Sequence, residues 1–306
     1  MIVRPVHRSP WLMLFTLKGS ILPVIWRRVL AMMLLAAALV LTTDHLSWMD
    51  VDLGAIPLTL MGLTLAIFLG FRNGVAYERW WEARTLWGEL LVVVRNLARQ
   101  ATSLPDQLPA PARREFVHAL AAFAHALRHL LRGSDPRADF AQWLPASEVE
   151  PLAASSNPPN RLLGKLAGIC AQWRRDGHLD SMLLADMDAQ LTRLSYVLGG
   201  CERIHGTPIP FAYILLLHRT VYIYCLLLPI CLAGNIGWFT PLMVGVLSYT
   251  FFGLDALGEQ IEDPFNRLAN DLALDAICRG VEISLGELLG DAVLPPPLQP
   301  QEGVLL

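Results

Sequence analysis

Residues 56–84 read IPLTLMGLTLAIFLGFRNGVAYERWWEAR, and how this stretch is read decides the fold. No charged side chain occurs before Arg72, and from there onward charges and tryptophans are interleaved. A helix rises about 1.5 Å per residue, so the apolar part is long enough to reach across most of a hydrocarbon layer about 30 Å thick. The expectation is a helix that leaves a bilayer and continues into water.

The rest of the chain agrees with that reading. Hydrophobic residues make up 54% of the 306 residues and charged residues only 17%, with a mean hydropathy of +0.43. The apolar residues come in blocks, which points to membrane spans rather than an evenly mixed soluble core. A net charge of −3 gives no basic surface for nucleic acid, and no nucleic-acid-binding signature is present. Cys170, Cys201, Cys225, Cys231 and Cys278 are odd in number and lack a CxxC spacing, so they read as isolated thiols in a reducing compartment. MIVRPVHRSPWLML at the N-terminus lacks the apolar core and cleavage site of a secretory signal.

Four spans are expected, at about 26–48, 55–75, 212–233 and 237–257, in an all-α membrane protein. Trp26 and Trp48 flank the first as interfacial anchors. Residues 220–254 carry no charge, but Gly234-Asn235-Ile236-Gly237 should break them into a hairpin. His218 and Arg219 fall near the cytosolic end of the third span, where an arginine either snorkels or pairs with an acid. Arg4, His7, Arg8, Lys18, Arg27 and Arg28 precede the first span, Asp44, Asp50 and Asp52 follow it, and Arg72, Arg79 and Arg84 follow the second. The positive-inside bias then puts both termini and the long middle segment in the cytosol.

That middle segment, 77–209, keeps helical periodicity, with breakers at 105–111, 133–136 and 155–159. Together with 259–290 it forms the expected cytosolic helical region of a single unit covering 1–306, and the Pro-rich residues 291–306 read as a flexible or surface-draped tail.

On the second span, Leu63, Ile67 and Phe71 recur every fourth residue and form a large apolar stripe. Gly62, Ala66 and Gly70 form a neighbouring small stripe that would let copies of the helix pack closely. A ring of such helices would stack the large stripe into a narrow apolar constriction able to gate by dewetting. An ordinary lipid-facing or packing surface gives the same pattern. Trp80, Trp81 and Trp87 suit the interfacial belt, and Glu78 and Glu82 could pair with nearby arginines along the helix.

IFLGFRNGVAYERWWEAR, TPIPFAYILLLHRTVYIY and EQIEDPFNRLANDLALDAICRGVE occur in an order that resembles the bestrophin family, specifically its bacterial homologues, over nearly the whole chain. The resemblance implies a homopentameric ion channel of the bacterial inner membrane with one axial pore, no cofactor, and self, lipid and small monovalent ions as partners. It also implies an apolar neck, which falls on Leu63, Ile67 and Phe71, and a cytosolic aperture, which falls on Met182. In animal members a run of acids completes a calcium clasp. Here Glu262-Asp263-Pro264-Phe265 leads into Asn266, Arg267, Leu268 and Ala269, too few hard oxygen ligands for calcium, so calcium gating is not expected.

For selectivity, the resemblance implies anions for animal members and monovalent cations for bacterial ones. Asp180, Asp186 and Asp188 surround Met182 and would concentrate cations, so the reading leans to Na+ and K+; a chloride or other anion channel of the same architecture is the alternative. A secondary transporter fits less well, because the two hairpins do not resemble one another and the centres of the first two spans are apolar. A scaffold whose apolar stripe only holds an oligomer together is a third option. No GxSxG, HExxH, P-loop or dinucleotide fingerprint suggests an enzyme. His118, His125 and His129 share one helical face that could hold a metal, but beside Arg128 and Arg132 they read as a polar surface.

Overall fold

The computed structural model describes residues 1, 16–17, 19–43, 55–301 and 303–305. Trp48, Asp44, Asp50 and Asp52, together with Arg4, His7, Arg8 and Lys18, lie outside the described residues. Within them, regular structure is helical apart from one isolated bridge between Gln301 and Val304. The chain order is α1 Leu22–Thr43, α2 Ala55–Ser103, α3 Ala110–Arg132, α4 Arg137–Trp143, α5 Ala146–Ala153, α6 Pro158–Arg175, α7 Ser181–Gly206, α8 Phe211–Ile236, α9 Thr240–Glu262 and α10 Leu274–Leu289. The contacts divide these elements into two compact units interleaved in sequence.

The first unit takes Pro5–Trp80 and Pro208–Asp263, and therefore α1, the first half of α2, α8 and α9. Three stretches among the described residues are long and apolar enough to cross a membrane: Leu22–Thr42, Ile56–Ser103 and Phe211–Glu262. The third is split into α8 and α9 by a short 3-10 turn, Gly237–Phe239. Gly237 has φ of 54°, a conformation that costs any residue with a Cβ, so this glycine ends α8 while Gly234 stays helical. α9 lies against α1 and α8. Ile25 and Ala36 of α1, Leu65 and Leu69 of α2, Val221 and Leu228 of α8, and Val244 and Phe252 of α9 form its core. In lipid such a core is held by close fit rather than by exclusion of water. At Gly245 the fit is tight enough that a Cβ would come 2.8 Å from the Met33 sulfur.

The second unit contains Trp81–Thr207 and Pro264–Leu306. Its centre is α3, buried at nearly every position from Phe116 to Leu127 and packed against α4, α6, α7 and α10. The second half of α2 joins this core through Ala83, Trp87, Leu90, Val94 and Leu97, a 3.6-residue period. Trp87 is fully buried, which corrects its expected place in an interfacial belt: it lies on the same helical face as Ala83 and Leu90. α2 and α7 meet at Gly200, where a Cβ would come 2.8 Å from Leu86.

The three expected breakers separate α2 from α3, α3 from α4, and α5 from α6. Two further breaks were not read. Pro145 forces the residue before it out of the helical region, and Leu144 is extended at φ −122° and ψ 154°. Gly177 lies in the left-handed region between α6 and α7. In the tail, Leu294 lies against Gly286, and Leu305 bonds through its main chain to Met1.

Candidate functional site

The sequence of α2 sorts its own faces in the first unit. Gly62, Leu65, Leu69, Arg72 and Ala76 are buried, while Leu63, Ile67 and Phe71 are 59%, 50% and 66% exposed. The large stripe therefore points away from the rest of its unit. The small stripe does not act as one surface. Gly62 is spent inside the chain, because a Cβ there would come 2.6 Å from the Tyr224 hydroxyl, whereas Ala66 is exposed and Gly70 has open space around it.

Directly after Phe71 the helix is clamped to α9. Arg72 is 2% exposed, and its Nη1 donates to Asp255 Oδ1 at 2.5 Å. Asn73 Nδ2 donates to the Leu254 carbonyl at 3.1 Å, and one stretch further on Arg79 Nε donates to the Glu262 carbonyl at 3.2 Å. The pairs 72–255 and 79–262 advance together by seven residues, so α2 and α9 run parallel here. Gly258 makes this approach possible, since a Cβ would fall 2.4 Å from Asn73 Oδ1. The second oxygen of Asp255 accepts from His218 Nδ1 at 2.8 Å, bringing in α8. His218 packs on Tyr222, over whose ring Arg28 of α1 lies at 5.8 Å.

Arg72, read from the sequence as one of the positive charges that follow the second span, is an internal cation neutralised by Asp255. Asp255 stands just outside the uncharged run that ends at Leu254, so the reading of that run as a hairpin did not include it. An acid immediately beyond such a run, one helical hairpin from His218, was the available signal. Arg219 itself is exposed.

The second unit holds the other candidates. Met182 is 81% exposed in the first turn of α7. Asp180 caps that helix, accepting from the Met182 and Leu183 amides at 2.7 and 2.8 Å, while Asp186 and Asp188 are exposed. Glu82 pairs with Arg203 of α7 rather than with an arginine on its own helix.

The histidine face of α3 is not the polar surface expected from its sequence. Among the described residues no group of three or more His, Cys, Asp or Glu could hold a metal ion. His125 is buried and meets Glu282 at 2.8 Å, His129 meets Asp139 at 2.6 Å, and His118 packs edge-on against Trp143. The cause is that α4 and α10 cover this face, with Arg128 and Arg132 both reaching Asp275. The hydrogen bond from His129, aided by His125 and Arg128 against the cost of burial, holds the Asp139 carboxyl down at about 2. Burial, with Arg114 beside it, lowers His118. Burial pushes the Cys278 thiol up to about 12, so it is inert at neutral pH. Arg132 also donates to the carbonyls of Phe265 and Asn266, at 3.0 and 3.4 Å.

Long apolar helices, with an exposed apolar stripe and a buried ion pair beside it, define an all-helical membrane protein. Residues 1–287 match the model of the bacterial and fungal bestrophin proteins. A voltage-dependent anion channel-forming protein of Mesorhizobium japonicum is 46% identical, over 99% of this chain and 96% of its own. Another so named, YneE of Escherichia coli, is 40% identical over 98% of both chains. The crystal structure of a bacterial bestrophin homologue from Klebsiella pneumoniae superposes with a TM-score of 0.84 at 40% identity, over 89% of this chain and all of that one. The chain belongs to the bestrophin family of ion channels.

Proposed function

We propose that this protein is an anion channel of the bacterial inner membrane, formed by several copies of the chain, with four spans in each and both termini cytosolic. The observation that carries the pore reading is the division of α2 into a buried face and an uncovered stripe of Leu63, Ile67 and Phe71. Copies arranged around an axis would turn that stripe inward as a neck, with Met182 lining a cytosolic aperture. Five copies follow from the family resemblance. Open space at Gly70 suits close approach of a neighbouring helix.

Anions are favoured over the cation preference expected from Asp180, Asp186 and Asp188. Curated relatives at 46% and 40% identity are named as anion channel-forming proteins. Asp180 caps α7, and the positive end of that helix partly offsets its pull on cations beside Met182. Calcium gating is not part of this reading, because Arg132 places a guanidinium on the Phe265 and Asn266 carbonyls, where a cation would be repelled.

Purified oligomer in planar bilayers under a sodium chloride gradient tests the proposal. A reversal potential near the chloride equilibrium supports it; one near the sodium equilibrium returns the cation reading.

A further inference from the structure

We propose that Asp255 is the positioning residue of the neck, and that His218 makes this positioning depend on proton concentration. The inference rests on Phe71 lining the pore.

Asp255 is 1% exposed and divides its two oxygens between two helices, Oδ1 to Arg72 of α2 and Oδ2 to His218 of α8. Arg72 follows Phe71 in sequence, so the clamp fixes the rotation of α2 at the last position of the neck. Arg72 and Asp255 together are neutral. A neutral imidazole adds one ordinary hydrogen bond, and a protonated one adds a charge-assisted bond about twice as strong. The His218 side chain is 38% exposed on the single chain and stands in the second turn of α8, near the proposed cytosolic end of that span. Imidazole is the side chain whose ordinary titration falls between about pH 5 and 8.

The groups facing His218 set the sign. Asp255 faces it from α9 in direct contact; Arg72 faces it from α2 across that carboxylate and is already neutralised by it. Arg28 faces it from α1 across the Tyr222 ring, and Tyr222 and the exposed Arg219 are the neighbours on α8 itself. Direct contact with the carboxylate outweighs Arg28 beyond the ring. Protonation therefore tightens the clamp and holds Phe71 in place, and current falls with pH.

The test records wild type, His218→Asn, His218→Gln and Ile67→Ala in bilayers from about pH 8 to about pH 5. Asparagine and glutamine keep a donor for Asp255 but do not titrate, and carrying both keeps the comparison intact if one fails to assemble. Wild-type current should fall at least about threefold over this range, and the amide variants should be flat. A wild-type current that does not fall, or amide variants that fall with it, overturns the proposal. Ile67→Ala does not touch the clamp: unchanged current in that variant at every pH overturns the neck reading instead.

Discussion

At the residue scale, the ion pair of Arg72 and Asp255 is a costly arrangement kept where the apolar stripe ends. Taking both charges out of water is compensated only while they face each other, and removing one partner from a buried pair costs about 3–5 kcal/mol. Asp255→Ala should therefore lower the melting temperature of the purified oligomer far more than Asp186→Ala, which removes an exposed carboxylate. Asp139 makes a second prediction. Its carboxyl sits at about 2 in the folded chain, against an ordinary value of 3.8. Its contribution is thus complete above the ordinary value and is lost as pH falls toward about 2. Thermal melts taken from neutral to acid pH should show wild type losing stability across that window, with Asp139→Asn less stable at neutral pH and less sensitive to acid.

At the element scale, α2 joins two kinds of surroundings in one uninterrupted helix about 73 Å long. Two glycines on its small stripe should respond differently. Gly62→Ala drives a methyl into Tyr224 and should destabilise each chain, while Gly70→Leu leaves the chain intact and should shift the oligomer on native mass spectrometry. Equal effects would count against close helix approach at Gly70. The same helix shows what could be read in advance. The four-residue spacing of Leu63, Ile67 and Phe71 is local information, and a helix displays it directly. Whether Gly62 faces its own chain or another copy depends on Tyr224, far away in sequence. Trp87 was misplaced for a related reason: tryptophan suits both an interface and a core, and only the face shared with Ala83 and Leu90 distinguishes them. The histidines of α3 were legible as a face, but not as a covered one, because α4 and α10 had not been placed over it.

At the scale of the whole molecule, the neck reading predicts that Ile67→Ala and Phe71→Ala raise current in an oligomer of unchanged size, since a wider apolar constriction wets more readily. Altered assembly with unchanged conductance would instead fit a scaffold. Currents with and without micromolar calcium should be equal, and a steep calcium dependence would contradict the part given to Arg132.

Beyond the Arg72–Asp255 ion pair, the clamp between α2 and α9 is chemically lopsided. α2 contributes side chains at 73 and 79, and α9 answers with main-chain carbonyls at 254 and 262. A carbonyl survives replacement of its own side chain; an amide or guanidinium donor does not. Tolerance to mutation should therefore be one-sided. In a saturation screen scored by channel current, position 254 should accept many apolar residues while Asn73 and Arg79 accept few, so, Asp255 excepted, most of the variation this junction can absorb lies on the helix that does not line the proposed pore.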